Sequence, residues 1–189
     1  LKTAQSNNPY ACCTYSSPVG ELTLAAGEDG LKGLWIESQK YFGASLDASM
    51  EPVDPSENTH LNDAIVWLDD YFAGNNPPID SLVLAPIGSE FRQIIWKLLC
   101  EIPYGQTRTY GELAQEAARR MGKEKMSAQA TGGAVGHNPI SIIIPCHRVV
   151  GASGSLTGYA GGISKKLSLL KLEGVDTNAF FIPPISTAP

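Results

Sequence analysis

The chain has 189 residues, 43% of them hydrophobic, and a mean hydropathy of -0.07, enough apolar content for one ordinary domain or two small ones. No apolar run reaches the roughly 18 residues that a membrane-crossing helix needs, so no membrane span is expected. The net charge of -5 conceals an asymmetry: residues 1–90 hold three Lys/Arg against thirteen Asp/Glu, a net of -10, and residues 91–189 hold eleven against six, a net of +5. The pI of 5.2 argues against nucleic acid for the chain as a whole, but a basic second half is what attracts phosphate. On charge alone, an ordinary solvated surface is the favoured reading.

Leu1 to Tyr10 is polar and lacks the apolar core of a signal peptide, so residues 1–9 read as a disordered lead-in and a cytoplasmic protein is expected. Tyr10 to Ser16, Leu22 to Ala26 and Leu31 to Ile36 are rich in β-formers. They are separated by Pro18-Val19-Gly20 and Glu28-Asp29-Gly30, which predicts a β-meander. Cys12 and Cys13 are neighbours on the first strand and face opposite ways. Residues 39–57 read mostly as loop. Leu61, Ile65, Leu68 and Phe72 recur at helical spacing in Asn58 to Phe72, with Gly74 as a stop. Leu82 to Leu84 is a candidate short strand, and 85–89 a linker.

The second half reads as helical. Ser89 caps a helix with Phe91, Ile94, Ile95, Leu98 and Leu99 on one face, where Cys100 reads as a buried small hydrophobe. Thr109 caps a helix from Tyr110 to about Arg120, and Ser127 caps another from Ala128 to about Gly136. The last of these is built from small residues (Ala128, Ala130, Gly132, Gly133, Ala134), which suits close approach to another backbone or tight helix packing. Two helices joined by a short turn outline a helix-turn-helix. A final helix is expected over 165–173, capped by Ser164, with Leu167, Leu170 and Lys171 periodic, ahead of Gly174. From Ile182 onward the chain is a Pro-rich tail. The predicted domains are 1–86 and 87–176, followed by a tail over 177–189.

Between helices lies Ile142-Ile143-Ile144-Pro145-Cys146-His147-Arg148-Val149. Cys146 is a candidate nucleophile. A thiol is activated by a base, usually histidine, and the base works better when a carboxylate holds its far nitrogen. Adjacent residues on an extended chain face opposite ways, so the chain must turn here, and Pro145 favours a turn. A relay through Cys146, His147 and Glu173 is possible, with a water bridging the first two. The other cysteines (Cys12, Cys13 and Cys100) fit no C-x-x-C pattern, and structural disulfides are not expected in the cytosol.

Residues 91–176 resemble the C-terminal domain of the O6-alkylguanine-DNA alkyltransferases, also called methylated-DNA–protein-cysteine methyltransferases. The matching blocks are Phe91-Arg92-Gln93-Ile94-Ile95-Trp96-Lys97, Thr109-Tyr110-Gly111-Glu112-Leu113-Ala114, residues 132–139, residues 144–150, Gly158-Tyr159-Ala160-Gly161-Gly162 and residues 169–174. Residues 10–85 resemble the family's α/β N-terminal domain in outline. The resemblance implies an antiparallel β-meander plus helix, ribonuclease-H-like in outline, followed by a mostly α domain with a helix-turn-helix.

It also implies a single-use transfer of an alkyl group from O6 of a flipped guanine in double-stranded DNA to Cys146, without a cofactor. A stacked base shields this group from a thiol, so the nucleotide must leave the duplex. By the same resemblance His147 relays the thiol proton, Glu173 orients His147, Asn138 holds the active-site turn and Tyr110 donates a hydrogen bond to the departing guanine. Val149, Tyr159, Ala160 and Gly161 would form the base pocket. Ser127, Ala128, Gln129, Ala130, Thr131, Gly132, Tyr110 and Arg148 would contact DNA through the minor groove, on a monomer. Gln129 stands where many members carry an intruding arginine, and Ala160 where a hydroxyl residue often sits. Cys12, Cys13 and His60 do not form the zinc set seen in some members. The rival readings are an alkyltransferase-like recognition protein, which would lack the cysteine, a sequence-reading regulator, and an unrelated cysteine hydrolase.

Overall fold

The computed structural model describes residues 9–184. Residues 1–8 of the expected lead-in and the end of the tail, residues 185–189, lie outside the described residues. Strands β1 (Tyr10–Ser17), β2 (Gly20–Gly27) and β3 (Gly30–Ile36) form the antiparallel meander. Alternation sends Cys12 to one face, with Ala25 and Trp35, and Cys13 to the other, with the main core. The segment read as loop contains one further short strand, β4 (Met50–Pro52), which pairs parallel to β1 and completes the order β3-β2-β1-β4. Three residues that include a proline carry too little periodicity to reveal a strand.

Helix α1 (Thr59–Phe72) is capped by the Asn58 side chain and buries Leu61, Ala64, Trp67, Leu68 and Tyr71 against the sheet. The candidate strand at 82–84 reduces to one parallel bridge between Leu31 and Leu84. That bridge covers one end of the β3 edge. The other end is bonded to the chain that leads into the central motif, with Leu34 N donating to Pro139 O and Ser141 N to Leu34 O, both at 2.8 Å.

Helix α2 (Glu90–Cys100) is capped by Ser89, and its Ile95, Trp96, Leu98 and Leu99 are buried. A short strand β5 (Arg108–Thr109) leads into α3 (Tyr110–Arg120), which opens with a capping box between Thr109 and Glu112. Helix α4 (Ala128–Gly136) follows, capped by Ser127 and fixed to α2 by Trp96, whose Nε1 donates to Ala134 O at 3.0 Å. Strand β6 (Val149–Val150) pairs parallel to β5, and α5 (Ile163–Leu172) closes the second half.

Helix α5 departs from expectation in two ways. It starts at Gly162 with φ of 95° and no side-chain cap, so Ser164 lies inside the helix. Its buried stripe is Lys166, Leu169 and Leu170, while Lys171 is exposed. The tail turns back at Phe181, which pairs with Ser155. One core cluster runs from Leu22, Leu24 and Leu34 through Leu68 and Leu98 to Ile144 and Val149, so the two halves share an interior. No helix among the described residues is long and apolar enough to cross a membrane.

Gly33 lies beneath the Trp35 indole, where an added Cβ would come within 1.9 Å of the ring. Gly33→Ala is therefore expected to lower stability in urea unfolding by about 1–3 kcal/mol, as overpacking does.

Candidate active site

The apolar run that precedes Cys146 does not continue as a strand. Ile142 is buried with φ of +72°, a conformation rare for a β-branched residue, and it throws the chain into a turn. Pro145 then opens a single 3-10 turn over Cys146–Arg148. The turn resolves the geometric problem of two adjacent reactive residues. The Cys146 and His147 side chains point to different partners, Asn138 and Glu173.

Asn138, just after α4, spans the turn. Its Oδ1 accepts from Ile140 N at 3.0 Å, and its Nδ2 donates to Ile144 O at 2.8 Å and to Cys146 Sγ at 3.1 Å. Cys146 is only 4% exposed. Burial pushes its thiol pKa up, opposed by the Asn138 donor and the nearby Lys166 charge, so the resting group is a thiol. His147 is fully buried, and burial lowers its pKa, against the pull of Glu173, so it rests neutral. Its Nε2 bonds Glu173 Oε1 at 2.6 Å, which assigns the proton to Nε2. Its Nδ1 is left as a buried acceptor without a protein partner. That is the nitrogen through which a water could take a proton from the thiol side.

Glu173 follows α5 as its C-cap and is the centre of the network. Oε2 accepts from Arg148 Nε at 2.8 Å and from Gly105 N at 3.2 Å. Oε1 accepts from His147, from Arg148 Nη2 at 3.1 Å and from the Tyr71 hydroxyl at 2.8 Å. Burial raises the carboxyl pKa, but the bonds from His147 and Arg148 outweigh it and hold the group well below the usual carboxylate range. Because His147 is neutral, Arg148 supplies the compensating charge.

Arg148 does not lie on the expected DNA face. It is instead 4% exposed, clasped by Glu173, bonded to Ile102 O and covered by the Tyr104 ring. A buried carboxylate needs a paired cation, and that need takes precedence here. Thr131 is also removed from the expected DNA face. It is fully buried, and its hydroxyl donates back to Ser127 O at 3.0 Å. Ser127, Ala128, Gln129 and Ala130 are exposed at the start of α4, and Gly132 faces the Tyr110 ring. The Tyr110 hydroxyl donates to Thr157 O at 3.3 Å and Gly158 O at 3.1 Å, so it rests against the loop that carries Tyr159, Ala160 and Gly161. Tyr159 and Val149 are buried, and Ala160 and Gly161 partly so.

Two residues of the site escaped the reading of the sequence. Lys166 is fully buried and donates to Val149 O at 2.5 Å and Thr157 O at 3.0 Å, with its pKa lowered to about 8 by burial. The available signal was a lysine one turn before the Leu169–Leu170 pair, on the same face as Glu173. Tyr71 looked like one more apolar member of the α1 stripe. Among the described residues no group of three or more His, Cys, Asp and Glu is arranged to hold a metal ion.

With this geometry in hand, comparison with known proteins identifies the class. Residues 90–175 match the profile described as 6-O-methylguanine DNA methyltransferase, DNA binding domain, and residues 11–86 match the same family's ribonuclease-like domain. The chain is 41% identical over 174 residues to a methylated-DNA–protein-cysteine methyltransferase of Methanosarcina acetivorans, covering 85% of this chain and 96% of that protein. It is 43% identical to one of Mycobacterium bovis, covering 85% and 90%. The crystal structure of Mycobacterium tuberculosis OGT in complex with DNA superimposes with a TM-score of 0.73 at 43% identity, over 87% of this chain and 93% of that one. The chain belongs to the methylated-DNA–protein-cysteine methyltransferase family.

Glu173→Ala would leave Arg148 buried and uncompensated, and is expected to cost about 3–5 kcal/mol in urea unfolding at neutral pH. A depressed carboxyl pKa stabilises fully above the unfolded value of about 4.3 and progressively less as pH falls below it. The stability gap between wild type and Glu173→Ala is therefore expected to shrink as pH is lowered through that window.

Proposed function

We propose that this protein repairs DNA by direct reversal, moving an alkyl group from O6 of guanine to Cys146. The observation that carries this reading is the buried Cys146 thiol, held by Asn138 and set beside a neutral His147 whose Nδ1 is free to accept. In the transfer, Cys146 sulfur attacks the alkyl carbon, the S–C bond forms and the C–O6 bond breaks. The thiol proton passes through a water to His147 Nδ1, and Glu173 stabilises the resulting imidazolium. The electron pair leaves with the guanine oxygen, and a hydrogen bond from Tyr110 makes the base a better leaving group. A thioether offers no easy departure, so each molecule acts once.

Cys146 and Tyr159 are covered in the resting protein, and Tyr110 is engaged with the loop at 157–158. A guanine that enters would displace those bonds, with Tyr159, Val149, Ala160 and Gly161 around it. The exposed start of α4 (Ser127, Ala128, Gln129 and Ala130) is slim enough for the minor groove, where bulkier side chains would collide. Contacts there are mostly to backbone, which suits a search for damage with little sequence preference. We place the boundary between the two domains near residue 86 and take the protein to act as a monomer. Its four free cysteines accord with the reducing cytoplasm.

The test is mass spectrometry after incubation with a duplex that contains O6-methylguanine. A methyl group in place of a proton, confined to Cys146 and stoichiometric with restored guanine, is the expected result. An unmodified Cys146 beside intact methylated DNA would overturn the reading. Glu173→Gln is expected to slow transfer more than it weakens DNA binding, measured by single-turnover kinetics and duplex titration. Gln129→Arg is expected to raise duplex affinity, because it adds a cation beside the phosphates, with a steeper salt dependence of binding as the readout.

A further inference from the structure

Tyr71 belongs to the last turn of α1, in the half of the chain that carries no part of the transfer chemistry described so far. It is nonetheless fully buried against that chemistry. Its hydroxyl donates to Glu173 Oε1 at 2.8 Å and lies 3.5 Å from His147 Nε2, across 102 residues of sequence in the first case. Its ring is immobilised on three sides. Trp67 stacks on it at 5.2 Å, Phe72 meets it edge-on at 5.3 Å and Tyr104 at 6.2 Å. Trp67 is itself tied down by its Nε1 bond to Pro78 O at 3.1 Å. A tyrosine has two soft side-chain torsions, and this packing removes the freedom of both.

Glu173 Oε2 is already fixed by Arg148 and Gly105, but Oε1 is the oxygen that faces the imidazole. We propose that Tyr71 is a positioning residue for the transfer step: it pins Glu173 Oε1 so that His147 keeps its proton on Nε2 and presents a bare Nδ1 toward the thiol. This rests on the reading of Cys146 as the alkyl acceptor. The phenol suits the task because burial and the Glu173 charge push its pKa far up, so it remains a donor at every working pH. Sharing Oε1 among the phenol, Arg148 Nη2 and the imidazole also tempers the pull of the carboxylate on His147. Without the phenol, more of the negative charge falls on the imidazole, the imidazolium is favoured, and the base form is reached only at higher pH.

The other ionisable groups around this pair are Arg148 and Cys146 from the active-site turn, Lys166 from α5, Tyr159 from the loop before it, and Tyr104 from the turn after α2. All of them remain in place when a single hydroxyl is removed by Tyr71→Phe. The role is distinct from holding the two halves together, because that variant keeps the ring and its aromatic contacts.

The experiment compares single-turnover methyl transfer by wild type, Tyr71→Phe and Tyr15→Phe, as full-length protein with an O6-methylguanine duplex, across pH. Tyr15 bonds Asp69 on the same helix at 2.7 Å and serves as a control for the loss of a phenol. For Tyr71→Phe the rate at saturating DNA is expected to fall about tenfold at neutral pH, a modest share of what general-base catalysis contributes. The half-saturating DNA concentration is expected to stay unchanged and the acid limb of the rate profile to move to higher pH. Tyr15→Phe is expected to match wild type. Superimposable profiles for Tyr71→Phe and wild type, or a loss confined to DNA affinity, overturn the proposal. Should Tyr71→Phe also lower stability, imidazole nitrogen NMR of the folded protein decides. A His147 that remains locked in the Nε2–H tautomer with an unchanged pKa overturns the proposal, and a mixed tautomer or raised pKa supports it. If wild type itself leaves Cys146 unmodified, the functional reading fails and the positioning role falls with it, an outcome separate from a wild type that transfers and a variant that transfers equally well.

Discussion

The buried Glu173 carboxylate is the interaction on which the rest of the structure depends. A charge in an apolar interior persists only where it is paired and its lone pairs are filled. Here Arg148 supplies the charge, and Gly105, His147 and Tyr71 supply further donors. Those donors come from the active-site turn, the turn after α2 and the last turn of α1. One carboxylate thus draws three distant parts of the chain to a single point, and its requirement for compensation explains why Arg148 is turned away from the surface.

A second constraint concerns backbone rather than charge. The segment from Asn138 to Pro145 is an irregular turn with an unfavourable torsion at Ile142, and such segments hold their shape only when surrounding structure determines them. Asn138 satisfies its inner carbonyl and amide groups. From outside, Leu34 on the β3 edge makes two backbone bonds to it, and the Ser141 hydroxyl donates to Gln39 Oε1 at 2.8 Å. The N-terminal sheet is therefore part of the wall of the site. The 138–145 segment in turn covers part of the β3 edge, which would otherwise present unpaired backbone groups.

The loop that lies over the thiol is treated differently. It is held by two bonds from Tyr110 and by the buried Lys166, whose ammonium bonds the carbonyls of both Val149 and Thr157. From the other half of the chain Lys40 N donates to Ala160 O at 3.1 Å. These polar attachments to carbonyl oxygens add to the burial of Leu156 and Tyr159 on the same loop.

Much of this was legible in the residues alone. The meander followed from alternation and turn residues, α1 to α3 from apolar periodicity with Ser89 and Thr109 as caps to α2 and α3, α4 from its Ser127 cap and run of small residues, and the proposed reactive centre from Cys146, His147 and the blocks around them. These features are local, set within a turn of helix or one hairpin. Folding alone decided which polar residues go inside. Lys166 and Lys171 look alike in the sequence, as do Tyr71 and Tyr15, and Arg148 reads as one more basic residue in a basic half. Their fates depend on partners up to a hundred positions away, because burial of a polar group is favourable only where a distant donor or charge meets it. The proposed nucleophile could be read from Cys146 together with six sequence blocks of the second half, whereas the polar scaffold around it required both halves of the chain in contact.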